Sequence, residues 1–115
     1  MEIATAAIIL VAILHIVFFI LESVLWTAPK VRRIFNNTEE EAEATRIPIL
    51  NQGFYNLGAA IMLLWFLHTD NTPAVMAVLL FLTGMGLVGG LSAMWTIFLI
   101  QMLPALAAFI LLWNA

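Results

Sequence analysis

Long apolar runs separated by short polar stretches are the main pattern along this chain of 115 residues. A bilayer core of about 30 Å needs about 20 residues of helix, and two of the runs are long enough for one membrane helix each. A third apolar block, from Pro73 to Ala115, carries no charge, and as one helix it would be about 65 Å long. We therefore expect this block to fold back within residues 89–96. The predicted membrane helices cover about residues 3–27, 48–68, 73–91 and 94–113.

The composition agrees with a membrane protein. Hydrophobic residues make up 64% of the chain and charged residues only 10%, which leaves too little polar surface to cover a water-soluble globule. We predict an all-α fold, an integral membrane four-helix bundle that uses residues 1–115 as a single transmembrane domain. Four membrane helices leave no room for a soluble domain or for one that binds nucleic acid. Because the chain has no cysteine, disulfides and thiolate chemistry are excluded.

The basic residues all lie in the loop after the first predicted helix. They are Lys30, Arg32, Arg33 and Arg46. By the positive-inside rule this loop faces the cytoplasm, so we expect both termini on the non-cytoplasmic side of a multi-pass protein in the bacterial inner (plasma) membrane. Within the loop, Thr38 and Glu41 have the spacing of a capping box, which predicts a short cytoplasmic surface helix over about residues 39–46.

Polar side chains at membrane depth are the unusual feature of the predicted spans. If Trp26 marks the interface, as tryptophan tends to, the helical rise of 1.5 Å per residue puts Glu22 about 6 Å and His15 about 16 Å inside. Counted from the start of the second helix, the polar residues of the stretch "NQGFYN" come at about 5 to 12 Å, and Gln101 of the fourth helix comes at about 10 Å. The polar residues of that stretch are Asn51, Gln52, Tyr55 and Asn56. We expect three spans to bring these side chains together in the cytoplasmic leaflet.

Glu22 is the most informative of these residues, because an ionisable side chain inside a membrane is by default a candidate for function. A carboxyl group at that depth should be protonated, paired or hydrogen-bonded by amides. The alternative is that Glu22 reaches water near the headgroups, beside Arg32 or Arg33. His15 titrates in the physiological range, and it is either a second proton-transfer group or a neutral imidazole that bonds a neighbouring helix.

The other polar and aromatic residues each have two interpretations. The amides either orient a ligand or hold helices together, where one interhelical hydrogen bond is worth about 1 kcal/mol. These amides are Asn51, Gln52, Asn56 and Gln101. Tyr55 is either a phenol donor or amphipathic filler, and Gly53 leaves a gap for another backbone or for a ligand. The apolar wall of a ligand site is expected to consist of Phe18, Phe19 and Trp26.

Three further features carry weaker signals. Gly86 and Gly90 form a GxxxG pair, which predicts a close helix contact within the chain or a homo-oligomer of two or more copies. Pro104 predicts a kink in the fourth helix, because proline removes one helical hydrogen bond. His68 and Asp70 have metal-capable side chains but no third ligand beside them, so we predict neither a metal site nor a cofactor.

These stretches together resemble the DUF1304 family, small four-helix membrane proteins of uncharacterised function. The resemblance rests on "HIVFFILESVLWTAPKVRRIF" from His15 to Phe35, "NQGFYNLGAA" from Asn51 to Ala60, and "QMLPALAAFILL" from Gln101 to Leu112. It implies that the polar residues above, with Gly53 and Pro104, belong to the family pattern. Family members usually carry basic residues in the last turn between helices, where this chain has "SAMWT". The family name implies no reaction.

Three functions remain open on the sequence. The first is a buried site that binds a small amphipathic or lipid-like ligand among membrane lipids, with Glu22 and His15 as acid-base groups and the amides and aromatics as the ligand-binding residues. The second is a structural or accessory subunit, in which the polar cluster only holds helices together. The third is a proton-coupled transporter, which at this size needs an oligomer to line a pathway.

Overall fold

The structure, a computed structural model, describes residues 2–115, and this part of the chain is helical with short connections and no strand. The α-helices are α1 Glu2–Phe19, α2 Pro29–Ile34, α3 Glu39–His68, α4 Thr72–Ser92 and α5 Leu103–Trp113. Two five-residue π-helical segments, with hydrogen bonds from i to i+5, interrupt this pattern. The first π segment, Ile20–Val24, continues α1, and the second π segment, Phe98–Met102, leads into α5.

Three helical stretches are long and apolar enough to cross a membrane, namely Glu2–Val24, Glu39–His68 and Thr72–Ser92. The last apolar stretch, Phe98–Trp113, is shorter. At 1.5 Å per residue it is about 24 Å long, less than the bilayer core of about 30 Å. The predicted all-helical membrane protein is thus confirmed with three helices of spanning length. The side on which the termini lie, and a fourth spanning helix, stay predictions.

The predicted surface helix over 39–46 and the predicted span from 48 are corrected by the structure, because both belong to the single helix α3. The capping box that begins α3 is confirmed: Glu41 N–H donates to Thr38 Oγ1 at 3.1 Å, and Thr38 N–H donates to Glu41 Oε1 at 3.0 Å. Pro48 lies inside the helix and deprives the carbonyl of Ala44 of its usual donor. Both residues are exposed, so that carbonyl can bond solvent, and the helix continues through the proline.

The ends of the first and last helices also differ from the sequence expectation. The first helical stretch ends at Val24, three residues before the predicted end, and the last begins at Phe98 rather than near 94. The carbonyl of Gly89 accepts from Ala93 N–H at 2.9 Å and from Met94 N–H at 3.2 Å, which closes α4 and delays the next helix. Pro104 sits in the first turn of α5, directly after the second π segment and inside the helical stretch Phe98–Trp113. A kink at Pro104 stays a prediction.

The chain divides into two compact units. One unit takes the residues up to Leu14 together with Ala59–Ala115, and its largest fully buried side chains include Ile8, Leu63 and Leu79. Many of its other buried positions are alanines, which let membrane helices approach closely. These are Ala4, Ala12, Ala59, Ala60, Ala105 and Ala108. In this unit α4 packs against the second π segment and α5.

Gly86 and Gly90 make the contact between α4 and the second π segment. A Cβ atom added at Gly86 would lie 2.6 Å from Met102 N and 2.7 Å from Met102 Cα, and one at Gly90 would clash with the ring of Phe98. The GxxxG pair therefore serves helix packing inside this chain. A homo-oligomer through the same glycines stays a prediction.

The other unit, His15–Gly58, contains the first π segment, α2 and the first part of α3. Its hydrophobic cluster consists of Trp26, Val31 and Ala42, all buried. Around this cluster pack the partly buried residues Leu21, Ala28, Phe35 and Ile49. The cluster fixes α2 against α3 and so defines where the polar residues of the first π segment meet α3.

Candidate functional site

Glu22 occupies the middle of the first π segment and is only 8% exposed. The segment closes where Leu25 N–H donates to the Ile20 carbonyl at 3.0 Å. Its sequence, "ILESV", carries no other charge, so no neighbouring charge in the segment offsets the cost of burial. Single π turns inside helices occur often at functional sites.

Two amide side chains of α3 hold the carboxylate. Gln52 Nε2 donates to Glu22 Oε2 at 2.7 Å, and Asn56 Nδ2 donates to Glu22 Oε1 at 2.5 Å. Gln52 and Asn56 are four residues apart on one helix and therefore present their side chains on the same face. Each carboxylate oxygen thus has one N–H donor, and the three residues form what we call the carboxylate–amide cluster.

A glycine brings the two backbones close enough for these hydrogen bonds. A Cβ atom at Gly53 would collide with the side-chain oxygen of Ser23 and would lie 3.1 Å from Ser23 N. Ser23 Oγ donates to the Leu50 carbonyl at 2.8 Å, across the same contact. Of the two interpretations of Gly53, the close approach of another backbone is the one that the structure confirms.

Among residues 2–115 no cation pairs with the Glu22 carboxylate. Within residues 2–115 the single ion pair joins Arg46 Nε and Glu43 Oε1 at 3.2 Å. Arg32 Nε donates to the Thr27 carbonyl at 3.3 Å, and Arg33 Nε donates to the Pro29 carbonyl at 3.5 Å. In the described part of the chain Glu22 thus makes no ion pair with Arg32 or Arg33, and the alternative in which it reaches water beside them stays a prediction.

Asn51 and Tyr55 do not join the cluster, although both come from the same "NQGFYN" stretch. Asn51 is exposed, and Tyr55 is 80% exposed. Neither side chain makes a hydrogen bond to another residue of the described part of the chain. They stand on the outer surface of α3, where lipid, solvent or a bound molecule can reach them.

The aromatic residues predicted to form an apolar wall take separate places. Trp26 is buried in the hydrophobic cluster, and its indole Nε1 donates to Thr45 Oγ1 at 3.0 Å. Phe19 packs edge-to-face on Phe54 with ring centroids 5.1 Å apart. Phe18 packs in the same manner on His15, also at 5.1 Å. Trp26 thus stabilises the unit, while Phe19 lies one turn from Glu22 on the same helical stretch.

His15 is fully buried. It comes seven residues before Glu22, which corresponds to about 10 Å along the helix. A proton transfer between these two groups stays a prediction. Gln101 lies in the second π segment of the other unit, so each π segment carries one polar residue of the predicted set. A meeting of Gln101 with Glu22 stays a prediction.

The sequence did not predict the hydrogen bonds made by the hydroxyl groups of Ser23 and Thr45. Ser23 bonds the backbone of α3, and Thr45 Oγ1 accepts from Trp26 while donating to the Glu41 carbonyl at 2.8 Å. The available signals were that Ser23 follows an intramembrane charge and that Thr45 lies inside a helix, where hydroxyl groups often bond the carbonyl four residues earlier.

A concavity lies away from the carboxylate–amide cluster, at the start of α3. A concavity of about 990 Å³ is lined by residues of the loop and the start of α3, none of them a predicted site residue. Those residues are Thr27, Thr38, Glu39, Glu40 and Glu43. Among residues 2–115, no group of three or more His, Cys, Asp or Glu side chains is arranged to hold a metal ion.

The fold and the cluster define a small helical membrane protein with a carboxylate buried between its first π segment and α3. The chain belongs to the DUF1304 family: the model of this family, described as a protein of unknown function, matches residues 9–113, nearly the whole chain. No curated protein and no solved structure matches the chain. The resemblance seen in the sequence is thus confirmed, and the function has to be argued from the site.

Proposed function

We propose that this protein binds a small amphipathic ligand at the carboxylate–amide cluster, with the cationic end of the ligand against Glu22. The observation that carries the proposal is a carboxylate, 8% exposed, whose two oxygens meet only neutral amide donors. A buried charge is costly unless it is paired. Since no cation of the described chain pairs with Glu22, the balancing proton or cation comes from outside the chain.

The choice of residue at position 22 supports a role for the charge itself. A glutamine there could also bond Gln52 and Asn56, because a primary amide donates and accepts and the partner amides can turn to match it. Neutral amides already suffice as interhelical glue at about 1 kcal/mol per bond. A carboxylate adds a burial cost to the same hydrogen bonds. The advantage of a carboxylate over an amide is that it can bind a proton or pair with a cation.

A ligand reaches the cluster from the exposed side of α3 that carries Gln52. Gln52 is exposed although its amide is bonded to Glu22, and each carboxylate oxygen keeps a further lone pair after one hydrogen bond. Tyr55, three residues after Gln52 and on the same side of α3, is exposed as well. A ligand with a polar cationic head and an apolar body can place its head at Glu22 and its body along the Tyr55 ring.

Acid-base chemistry, if the ligand undergoes any, falls on Glu22 in this proposal. His15, about 10 Å before Glu22 along the helix, is the candidate for a second proton-transfer group. Binding of the ligand requires the charge of Glu22. The cluster can bind the ligand without catalysing a reaction.

One observation favours a second function, a structural or accessory role. Both oxygens of Glu22 are occupied by donors of the same chain, and Ser23 Oγ bonds the Leu50 carbonyl in the same contact. These bonds fasten the first π segment to α3 without any ligand. In this alternative the cluster is a clamp, and losing its hydrogen bonds costs stability rather than binding.

Two substitutions at one position separate the two functions. Glu22→Gln removes the charge but keeps hydrogen-bonding capacity, whereas Glu22→Met removes both. Glu40→Gln is the matched control, since Glu40 is an exposed carboxylate at the start of α3. The full-length variants are purified in mild detergent, and bound dodecylamine is counted by native mass spectrometry with dodecanol as the uncharged probe of equal chain length.

We expect the protein and its Glu40→Gln variant to retain dodecylamine in preference to dodecanol. Glu22→Gln should weaken dodecylamine binding about 10- to 100-fold while remaining folded, because a hydrogen bond to a charged group is worth about 1.5–3 kcal/mol. Equal binding of amine and alcohol, or unchanged amine binding by Glu22→Gln, would refute the proposal. If only Glu22→Met shows an effect, and that effect is unfolding, the clamp is correct.

A further inference from the structure

We propose that α2 is a docking surface for the phosphate groups of anionic phospholipids. This inference is independent of the carboxylate–amide cluster and of any ligand bound there. It starts from three cations on a single six-residue helix, Lys30, Arg32 and Arg33, directly after the first membrane stretch.

The buried side of α2 fixes the direction in which these cations point. Val31 is 4% exposed and belongs to the hydrophobic cluster with Trp26 and Ala42. Successive residues of an α-helix are 100° apart, so Arg33 lies on the side opposite Val31, and Lys30 and Arg32 flank it. Lys30 and Arg33 are exposed and Arg32 is half-buried. The three charges therefore cover the outer face of the helix.

The hydrogen-bonding groups of this face are largely unused. Each arginine donates from Nε to a backbone carbonyl, Arg32 to Thr27 and Arg33 to Pro29. Over residues 2–115, no hydrogen bond is made by the terminal amino groups of either guanidinium group or by the ammonium group of Lys30. Planar guanidinium groups match the oxygens of a phosphate in pairs, and Lys adds a point charge.

The acidic residues of the same unit do not neutralise α2. Glu43 pairs with Arg46, and Glu41 belongs to the capping box with Thr38. Glu39 and Glu40, together with Glu43, line the concavity at the start of α3. No ion pair joins any of them to α2 within residues 2–115. Except for Arg46, which pairs with Glu43 on α3, the basic side chains of this unit lie on α2, the helix that follows the first membrane stretch.

Apolar residues on both sides of α2 place its charges at the level of lipid headgroups. Val24 and Leu25 before the helix and Ile34 at its end are exposed hydrophobic side chains. Exposed aliphatic residues beside exposed cations are typical of a helix that lies in the interface between acyl chains and headgroups. The partner that fits both features is an anionic phospholipid, since a soluble phosphate compound offers nothing to the aliphatic side chains.

The test compares bound lipids on the full-length protein in nanodiscs of mixed phosphatidylglycerol and phosphatidylcholine. Lipids that stay with the protein after extraction are counted by native mass spectrometry. Near a charged membrane each basic residue contributes about 1 kcal/mol, so each cation removed should lower the preference for phosphatidylglycerol about fivefold. Lys30→Gln and Arg33→Gln are made singly and together, and Arg46→Gln, which removes the ion-paired cation, is the control.

We expect the double variant to lose about 25-fold of the preference and Arg46→Gln to lose little. Because a variant can insert poorly, the unaltered protein is also measured at rising salt, where screening should reduce the preference for the anionic lipid. A preference that is independent of salt, or equally reduced by Arg46→Gln, would overturn the proposal. Displacement of phosphatidylglycerol by 10 mM inorganic phosphate would also overturn it, because the site would then select a soluble anion.

Discussion

Replacement of Gly86 by alanine tests the packing of α4 against the second π segment. The added Cβ atom would lie 2.6 Å from Met102 N and 2.7 Å from Met102 Cα. Ordinary van der Waals contact begins near 3.4 Å, so the added atom comes about 0.7–0.8 Å too close to each of them. Both atoms belong to the backbone and cannot turn aside as a side chain can. The two helical elements therefore have to separate, which for an added carbon in a tight contact costs about 1–3 kcal/mol.

The matched control for this change is Gly84→Ala. Gly84 lies on the same helix, and a Cβ atom added there has no neighbour within 4 Å. Alanine raises helix propensity at both positions by a similar amount, about 1 kcal/mol relative to glycine. The difference between the two variants therefore isolates the steric cost at Gly86. Without this control the gain in propensity would hide part of the loss.

The assay is reversible unfolding in mixed micelles with increasing SDS, followed by far-ultraviolet circular dichroism. We expect the free energy of unfolding of Gly86→Ala to be about 1–3 kcal/mol lower than that of Gly84→Ala. Gly84→Ala itself should be as stable as the unaltered protein or slightly more stable. Equal stability of the two variants would refute the close contact, and with it the role of the GxxxG pair in packing inside the chain.

Two further predictions concern the unit that contains the site. Gly53→Ala should destabilise the protein by about 1–2 kcal/mol in the same unfolding assay, because the added Cβ atom would lie 3.1 Å from Ser23 N. The control Gly58→Ala, whose Cβ atom has no neighbour within 4 Å, should not be destabilised. A Gly53→Ala variant as stable as the unaltered protein would contradict the close contact. Trp26→Phe should cost about 1 kcal/mol, since it loses the indole hydrogen bond to Thr45, and a wild-type unfolding curve would count against that bond.

The positions of the site residues along their helices are what the sequence predicted best. Counting residues places Glu22, Gln52 and Asn56 in the same leaflet, and these three do meet. The same counting places Asn51 and Tyr55 there, yet both are exposed. The helical rise per residue gives the depth of a residue in the membrane, but the direction in which its side chain points depends on how the two helices cross. Here the crossing at Gly53 turns one face of α3 toward Glu22 and the others away.

Helix continuity was the other point at which local signals were insufficient. Pro48 favours a helix start from sequence alone, but α3 passes through it, because Ala44 is exposed and its freed carbonyl can bond solvent. The π segments were not predicted at all. Their residues are ordinary apolar helix formers, and hydrogen bonding from i to i+5 is set by packing against neighbouring helices rather than by composition.

By itself, the sequence determined the membrane class, the helical content, the capping box at Thr38, the segregation of basic residues into one loop and the family. All of these follow from hydropathy, periodicity and short-range hydrogen bonding, which are properties of neighbours along the chain. Only the tertiary structure decided that Gln52 and Asn56 are the partners of Glu22, that no arginine pairs with it, and that Trp26 belongs to the hydrophobic cluster. These are contacts between residues distant in sequence, and they depend on the rotation and crossing of helices.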